Sequence, residues 1–215
     1  MRQTAIAAAI LLAIPLCTAA GTEALPPAGA YGEIDTKLTT QTIRALASEV
    51  GEARDRAVAA VKAAPQRYAP PVLMVLSKIL FDRGDKDEAA FWYYAGQLRG
   101  RSDANLCLDK SAAAALDELN RTFGPPINEH AFKDREKLTA LVERVVTWDR
   151  ETAHDYDRRW IALSGMQAVL ASMGEGPAEA GAVSVPHERW DEVSEQTRRA
   201  YLEDFRKYVA RRPAQ

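Results

Sequence analysis

Apolar positions recur every three or four residues along most of this chain, and no run shows the alternation expected of a strand. Ile43, Leu46, Val50, Ala53, Ala57 and Val61 form one such series in an Ala-rich stretch from Thr36 to Ala64, which Gly51 divides and Pro65 ends. Pro70-Pro71 opens a second element that runs through Phe81 and closes at Gly84. Asp85 and Glu88 have capping-box spacing and start a helix reaching to the neighbourhood of Leu98. A further helix is expected from Asp109 to Arg121, with Phe123-Gly124-Pro125-Pro126 as its breaker.

Asp134 reads as another N-cap. Behind it Leu138, Leu141, Val142 and Val145 make an apolar face, opposite Arg135, Glu136, Glu143 and Arg144. Tyr156, Trp160, Leu163, Met166, Leu170 and Met173 carry the helical pattern on to Gly174. In the last helix Trp190, Val193, Thr197, Tyr201, Phe205 and Tyr208 fall on one stripe. Glu188, Asp191, Glu192 and Glu195 stand at its start and Arg206, Lys207, Arg211 and Arg212 at its end, the polarity that suits the helix dipole. The pattern predicts an all-α fold: helical hairpins packed as a short repeat-like or irregular bundle of about seven helices.

Composition adds a location. Arg2 precedes the apolar run Ala5–Leu16, which is shorter than the roughly 20 residues that cross a bilayer. Thr18, Ala19 and Ala20 then supply small residues, so 1–20 reads as a secretory signal peptide cleaved after Ala20, and the expected compartment is the bacterial periplasm. Cys17 opens an alternative, a lipid anchor; Leu16 and Pro15 depart from the bacterial lipoprotein pattern that it resembles. After cleavage Cys107 is the sole thiol, so no intramolecular disulfide can form. Between Leu106 and Leu108 it reads as a small buried hydrophobe rather than a reactive group. The organisation expected is a flexible leader at 21–34, a repeat-like α-helical domain at 35–173, a loop at 174–186 and a C-terminal helix at 187–212 packed on the same domain.

Residues 73–100 resemble one unit of the tetratricopeptide and Sel1-like repeat families. Leu73, Leu76, Ser77 and Leu80 match the first helix, Gly84 the turn, Ala89 the small residue of the second helix, and Trp92, Tyr93 and Gly100 the positions that follow. Gly96 and Gln97 stand where Sel1-like repeats carry paired alanines, and Arg101 near the usual proline of tetratricopeptide units. What the resemblance implies is a surface that holds other proteins or peptides.

Four consecutive aromatics, Phe91 to Tyr94, sweep about 300° around a helix at 100° per residue. Either the helix is packed on two sides, or part of the run faces a groove. In the second case Trp92, Tyr93 and Tyr94, with Arg99 and Arg101, make a partner-binding set of the residue types favoured at interface hot spots.

Charge narrows the function classes. The 215 residues carry 28 basic and 30 acidic side chains, a net charge of −2 that does not suit a nucleic-acid binder. His130, His154 and His187 lie in no recognised zinc spacing. The acids around His154 (Asp149, Glu151, Asp155 and Asp157) are interleaved with Arg150, Arg158 and Arg159, which reads as a paired, solvated face. Neither a G-x-S-x-G nor an S-x-x-K motif occurs, nor does a Gly-rich phosphate loop. The reading is therefore a non-enzymatic periplasmic binding module without a metal, cofactor or transmembrane segment. Its partner would be another protein, a secreted toxin or envelope enzyme, which makes the chain an immunity or inhibitor protein. A Sel1-like envelope scaffold or assembly factor, and a cell-wall hydrolase with a carboxylate pair brought together by folding, stand as alternatives.

Overall fold

The computed structural model describes residues 27–175 and 182–211, and the signal-peptide and lipid-anchor assignments lie outside them. Among the described residues there are eight α-helices: α1 (Lys37–Ala47), α2 (Glu52–Ala63), α3 (Pro70–Arg83), α4 (Lys86–Leu106), α5 (Ala114–Ala131), α6 (Arg135–Glu151), α7 (Met166–Ser172) and α8 (Trp190–Arg211). The all-α expectation holds. The nearest approach to a strand is one isolated antiparallel bridge, where 183–185 lie beside 106–108. No described helix is long and apolar enough to cross a membrane.

α1 packs on α3 and α3 on α5, while α2 reaches α4 through an ion pair between Lys62 and Glu88 (2.7 Å). The α3–α4 hairpin is the most extensive pairing in the molecule. Its turn is made at Gly84, whose φ of 95° is left-handed and whose N–H closes back on the carbonyls of Leu80 and Phe81. The two helices then approach so closely at Gly96 that a Cβ there would sit 2.9 Å from Met74 and 3.2 Å from the Pro70 carbonyl. The departure from the Sel1-like pattern at this position therefore has a steric reason in this chain.

α4 is the axis of the fold. It lies against α3, α5, α6 and α8, and thirteen of its 21 residues are buried. Phe91 and Trp92 meet Trp148 of α6 edge-on, at 5.6 and 5.7 Å between ring centres. Tyr93 and Tyr94 turn instead to α5, where their hydroxyls donate to Asn120 (3.3 Å) and Asn128 (2.7 Å). Two-sided packing thus accommodates the aromatic run.

Several boundaries differ from the pattern. α4 continues past Leu98 to Leu106, because Arg99, Ser102 and Asp103 find buried partners rather than ending the helix. Asp85 does not cap α4 with its side chain. Glu88, the other half of the expected box, is drawn instead to Lys62 and to the indole N–H of Trp92.

The largest surprise is α5, which runs straight through Pro125-Pro126. A proline inside a helix costs about 3 kcal/mol in lost hydrogen bonding and ring clash. Against that cost at two positions, Phe123 and Ile127, buried on either side of the pair, each return about 1.5–3 kcal/mol, and the Asn120 and Asn128 bonds tie both halves of the helix to α4.

Asp134 caps α6 as expected, accepting from the N–H of Lys137 at 3.0 Å. After α6 the helical period misleads. Residues 152–157 are irregular, Arg158–Ser164 is a 3₁₀ turn, and only then does the short α7 begin. Near the start of the described residues, Tyr31 and Ile34 are buried in the core, so this part of the expected flexible leader is packed.

Candidate functional site

The most unusual chemistry in the molecule is a buried charge network hung on α4. Arg99 is wholly buried. Its Nε donates to Asp149 of α6 (2.9 Å), and its Nη2 to the carbonyls of Thr152 (3.0 Å) and Ala153 (3.2 Å). Its guanidinium lies over the Trp148 ring at 4.4 Å, and Nη1 makes no hydrogen bond. Asp149 also accepts from Nε2 of His154 (3.0 Å) and from Nε of Arg198 on α8 (2.8 Å). One turn along α4, Asp103 gathers Arg158 (2.8 Å), the Tyr156 hydroxyl (2.9 Å) and the Trp160 indole N–H (2.9 Å).

These contacts set the ionisation of the cluster. Burial alone would raise the Asp149 carboxyl, but the hydrogen bond from His154 and the charges of His154, Arg99 and Arg198 hold it well below the usual carboxylate range. Burial lowers His154, and the Arg99 and Arg158 charges add to this against the pull of Asp149. A neutral imidazole still donates its Nε2–H, so the two arginines keep Asp149 ionised whatever the state of His154. Tyr156 is driven well above an ordinary phenol by burial and by Asp103.

This corrects the solvated face expected around His154: Asp149, His154 and Arg158 are interior. Each carboxylate accepts three hydrogen bonds, and the crevice beside Asp103, Arg158 and Trp190 is too narrow for a water molecule. What the network does is fasten residues 152–165 and α8 onto α4. An unmatched charge at this depth costs several kcal/mol, so each ion depends on the others.

The partner-binding set read from the sequence needs the same correction. Trp92, Tyr93, Tyr94 and Arg99 are buried and occupied by intramolecular contacts, so they cannot anchor a partner on this surface. Burial lifts the Tyr93 phenol to about 12 despite its polar neighbour Asn128. Arg101 does reach solvent, where it pairs loosely with Asp204 of α8 (3.6 Å). Cys107 is buried, donates its S–H to the Asp109 carbonyl (3.4 Å), and is pushed up by desolvation, which suits an inert thiol.

The other histidines are apart. His130 lies 3.1 Å from Asp87, which also binds Lys137 (2.6 Å), and His187 rests on Trp190. Among the described residues no group of three or more His, Cys, Asp or Glu side chains could hold a metal ion.

The exposed apolar side chains gather elsewhere. Met166, Val169 and Met173, at spacings of three and four, are each about half exposed along α7 and just past its end, at 58, 48 and 55%. The start of α7 is tied to the segment carrying Leu108, itself half exposed: Gln167 N–H donates to Asp109 and Met166 N–H to Ser111, both at 2.8 Å. The sequence placed these methionines on a core stripe with Tyr156 and Trp160. The break at Gly165 turns them outward.

The fold defines an all-α class of hairpins around a charged central helix. No protein-family model matches the chain, and no solved structure matches it. An uncharacterized protein of Haemophilus influenzae is 30% identical over 129 residues, which are 59% of this chain and 47% of that protein. The chain thus spans about half the length of the relative it matches.

Proposed function

We propose that the protein is an exported, non-enzymatic binding module that holds another protein, and specifically an immunity or inhibitor protein against an envelope-directed bacterial toxin. The observation that carries this reading is the row of half-exposed apolar side chains on and just past α7, Met166, Val169 and Met173. A row of exposed apolar side chains at helical spacing is the kind of surface that marks interaction sites when it forms a sizeable patch. Methionine adapts its shape to a partner better than branched side chains do. The hairpins α1–α2 and α3–α4, with α1 on α3 and α3 on α5, are in keeping with the resemblance to tetratricopeptide and Sel1-like units, families that mainly hold other proteins or peptides. The face would cover the toxin's cleft with its apolar centre, the polar groups around it forming the rim.

The test is affinity capture from a periplasmic extract, comparing the wild type with Val169→Asp/Met173→Asp, followed by stoichiometry and assay of the captured protein. The expected result is a one-to-one complex with a single secreted enzyme whose activity falls on binding, and loss of that complex in the variant. Recovery of several envelope proteins would instead favour the scaffold reading. Clearance of cell-wall substrate by the purified protein would overturn both.

A further inference from the structure

Oxidisable sulfur is distributed unevenly over this fold. Four methionines occur in the chain, and three of them lie among the described residues. Met74 is sealed inside α3 without any exposure, under the close approach of Gly96. Met166 and Met173 are each more than half exposed. They are seven residues apart in helical backbone, which sets them about 20° apart around the axis and about 10 Å apart along it. Cys107, the free thiol among the described residues, is buried and donates its S–H to the Asp109 carbonyl. Burial also pushes its ionisation up, so little of the reactive thiolate is present near neutral pH. Among the described residues the accessible sulfur is therefore confined to one side of α7 and the residue that ends it.

We propose that Met166 and Met173 are a redox-modification site: a peroxide oxidises both to sulfoxides while Met74 and Cys107 are spared, and the change turns the α7 face from apolar to polar. In each step a thioether lone pair attacks one oxygen of hydrogen peroxide and the O–O bond breaks. The departing hydroxide takes the proton of the transferred oxygen, so the sulfur is oxidised to the sulfoxide and the peroxide is reduced to one water. The product keeps the length of the side chain but adds a strongly polar acceptor. On an exposed helix face that oxygen meets water and leaves the fold undisturbed. Under a partner it would have to be desolvated, which is costly unless a donor waits for it. Val169 alone would then remain of the apolar row. Methionine sulfoxide reductases reverse the step, one enzyme for each sulfoxide epimer. Release of a bound protein by this oxidation rests on the binding reading given above; the modification itself does not.

The test treats the full chain with hydrogen peroxide and follows each sulfur by peptide mass spectrometry. The peptides holding Met166 and Met173 should each gain one oxygen. Met74 should react at least about tenfold more slowly, because it must wait for the core to open. In urea that difference should vanish. Oxidation of the folded protein should leave its circular dichroism unchanged and shorten its retention on a hydrophobic-interaction column, and the two reductases should restore the retention. Met166→Leu/Met173→Leu keeps the face apolar at exposed positions, so its retention should not respond to peroxide. Oxidation of Met74 or Cys107 as fast as the α7 pair would overturn the proposal. So would unchanged retention after both methionines are oxidised, or an equal loss of retention in the leucine variant. Capture from a periplasmic extract separates this from the binding reading. Capture by the reduced protein and by the oxidised leucine variant, but not by the oxidised wild type, supports the switch. Capture by reduced and oxidised wild type alike would overturn the switch and leave the binding reading intact. Capture by neither, with the expected oxidation pattern and retention, would overturn the binding reading and uphold the modification site.

Discussion

α4 and α7 are both rich in large apolar side chains, yet the first conceals almost all of its own and the second displays most of them. Neither hydrophobicity nor helical spacing separates the two. Their neighbours do. α4 is enclosed by α3, α5, α6 and α8, so even four aromatics in succession find packing partners around most of its circumference. α7 follows a 3₁₀ turn and packs chiefly on it, which leaves one side of a two-turn helix bare. The same enclosure lets α4 carry Arg99 and Asp103 in the interior, each with its counter-charge supplied by a residue some fifty positions further along. An exposed helix would gain little from such pairs, since water screens them.

The contrast can be broken most sharply at Asp149. Asp149→Ala would leave Arg99 and Arg198 buried or nearly so without their carboxylate, and should cost about 3–5 kcal/mol in urea unfolding at neutral pH. A loss below about 1 kcal/mol would mean that the network is wet and holds little.

A smaller effect is expected from pH. His154 faces Asp149, Arg99 and Arg158 and stacks on Tyr156, and its folded value lies below its unfolded one. The unfolded chain then takes up the proton first, so stability is fully present above about pH 6.5 and is lost as pH falls from there through the folded value. Asp149 works in the same direction but in a lower window, beginning near the ordinary carboxylate value. The melting temperature should therefore drop between about pH 7 and pH 5.5, and His154→Gln should flatten that slope. An unchanged slope would place the acid sensitivity elsewhere.

The smallest effect belongs to α7. Val169→Asp should change stability by no more than about 0.5 kcal/mol, because nothing in the core rests on its side chain. A loss of several kcal/mol would show that this face is part of the core and would end its candidacy as an interface.

Much of the fold could be read from the chain before any coordinates. The division near Gly51, the hairpin at Gly84, the Asp134 cap and the last helix are all where period, turn chemistry and capping put them, because each depends on residues within a turn or two. The break between 151 and 165 was not legible. Tyr156, Trp160, Met166 and Met173 satisfy a helical period, but a polar strap bonded to Asp103 and Arg99 wins over it. The buried charges gave only a misleading signal: acids and arginines interleaved near 150–159 are what a wet helix face also looks like. The aromatic run was legible as a question with two answers.

The sequence by itself determined the all-α class, the hairpin at Gly84, the start of α6 and the hydrophobic supply, since these follow from local periodicity and backbone preference. Only the tertiary structure decided which of the apolar and charged residues are interior. It carried α5 through two prolines, where burial of Phe123 and Ile127 and the Asn120 and Asn128 bonds to α4 together offset the local penalty. It buried Trp92, Tyr93, Tyr94 and Arg99 and left Met166, Val169 and Met173 half exposed. The physical reason is that burial is a property of neighbours. Desolvation is set by helices that arrive from fifty or more residues away, and no local pattern records their arrival.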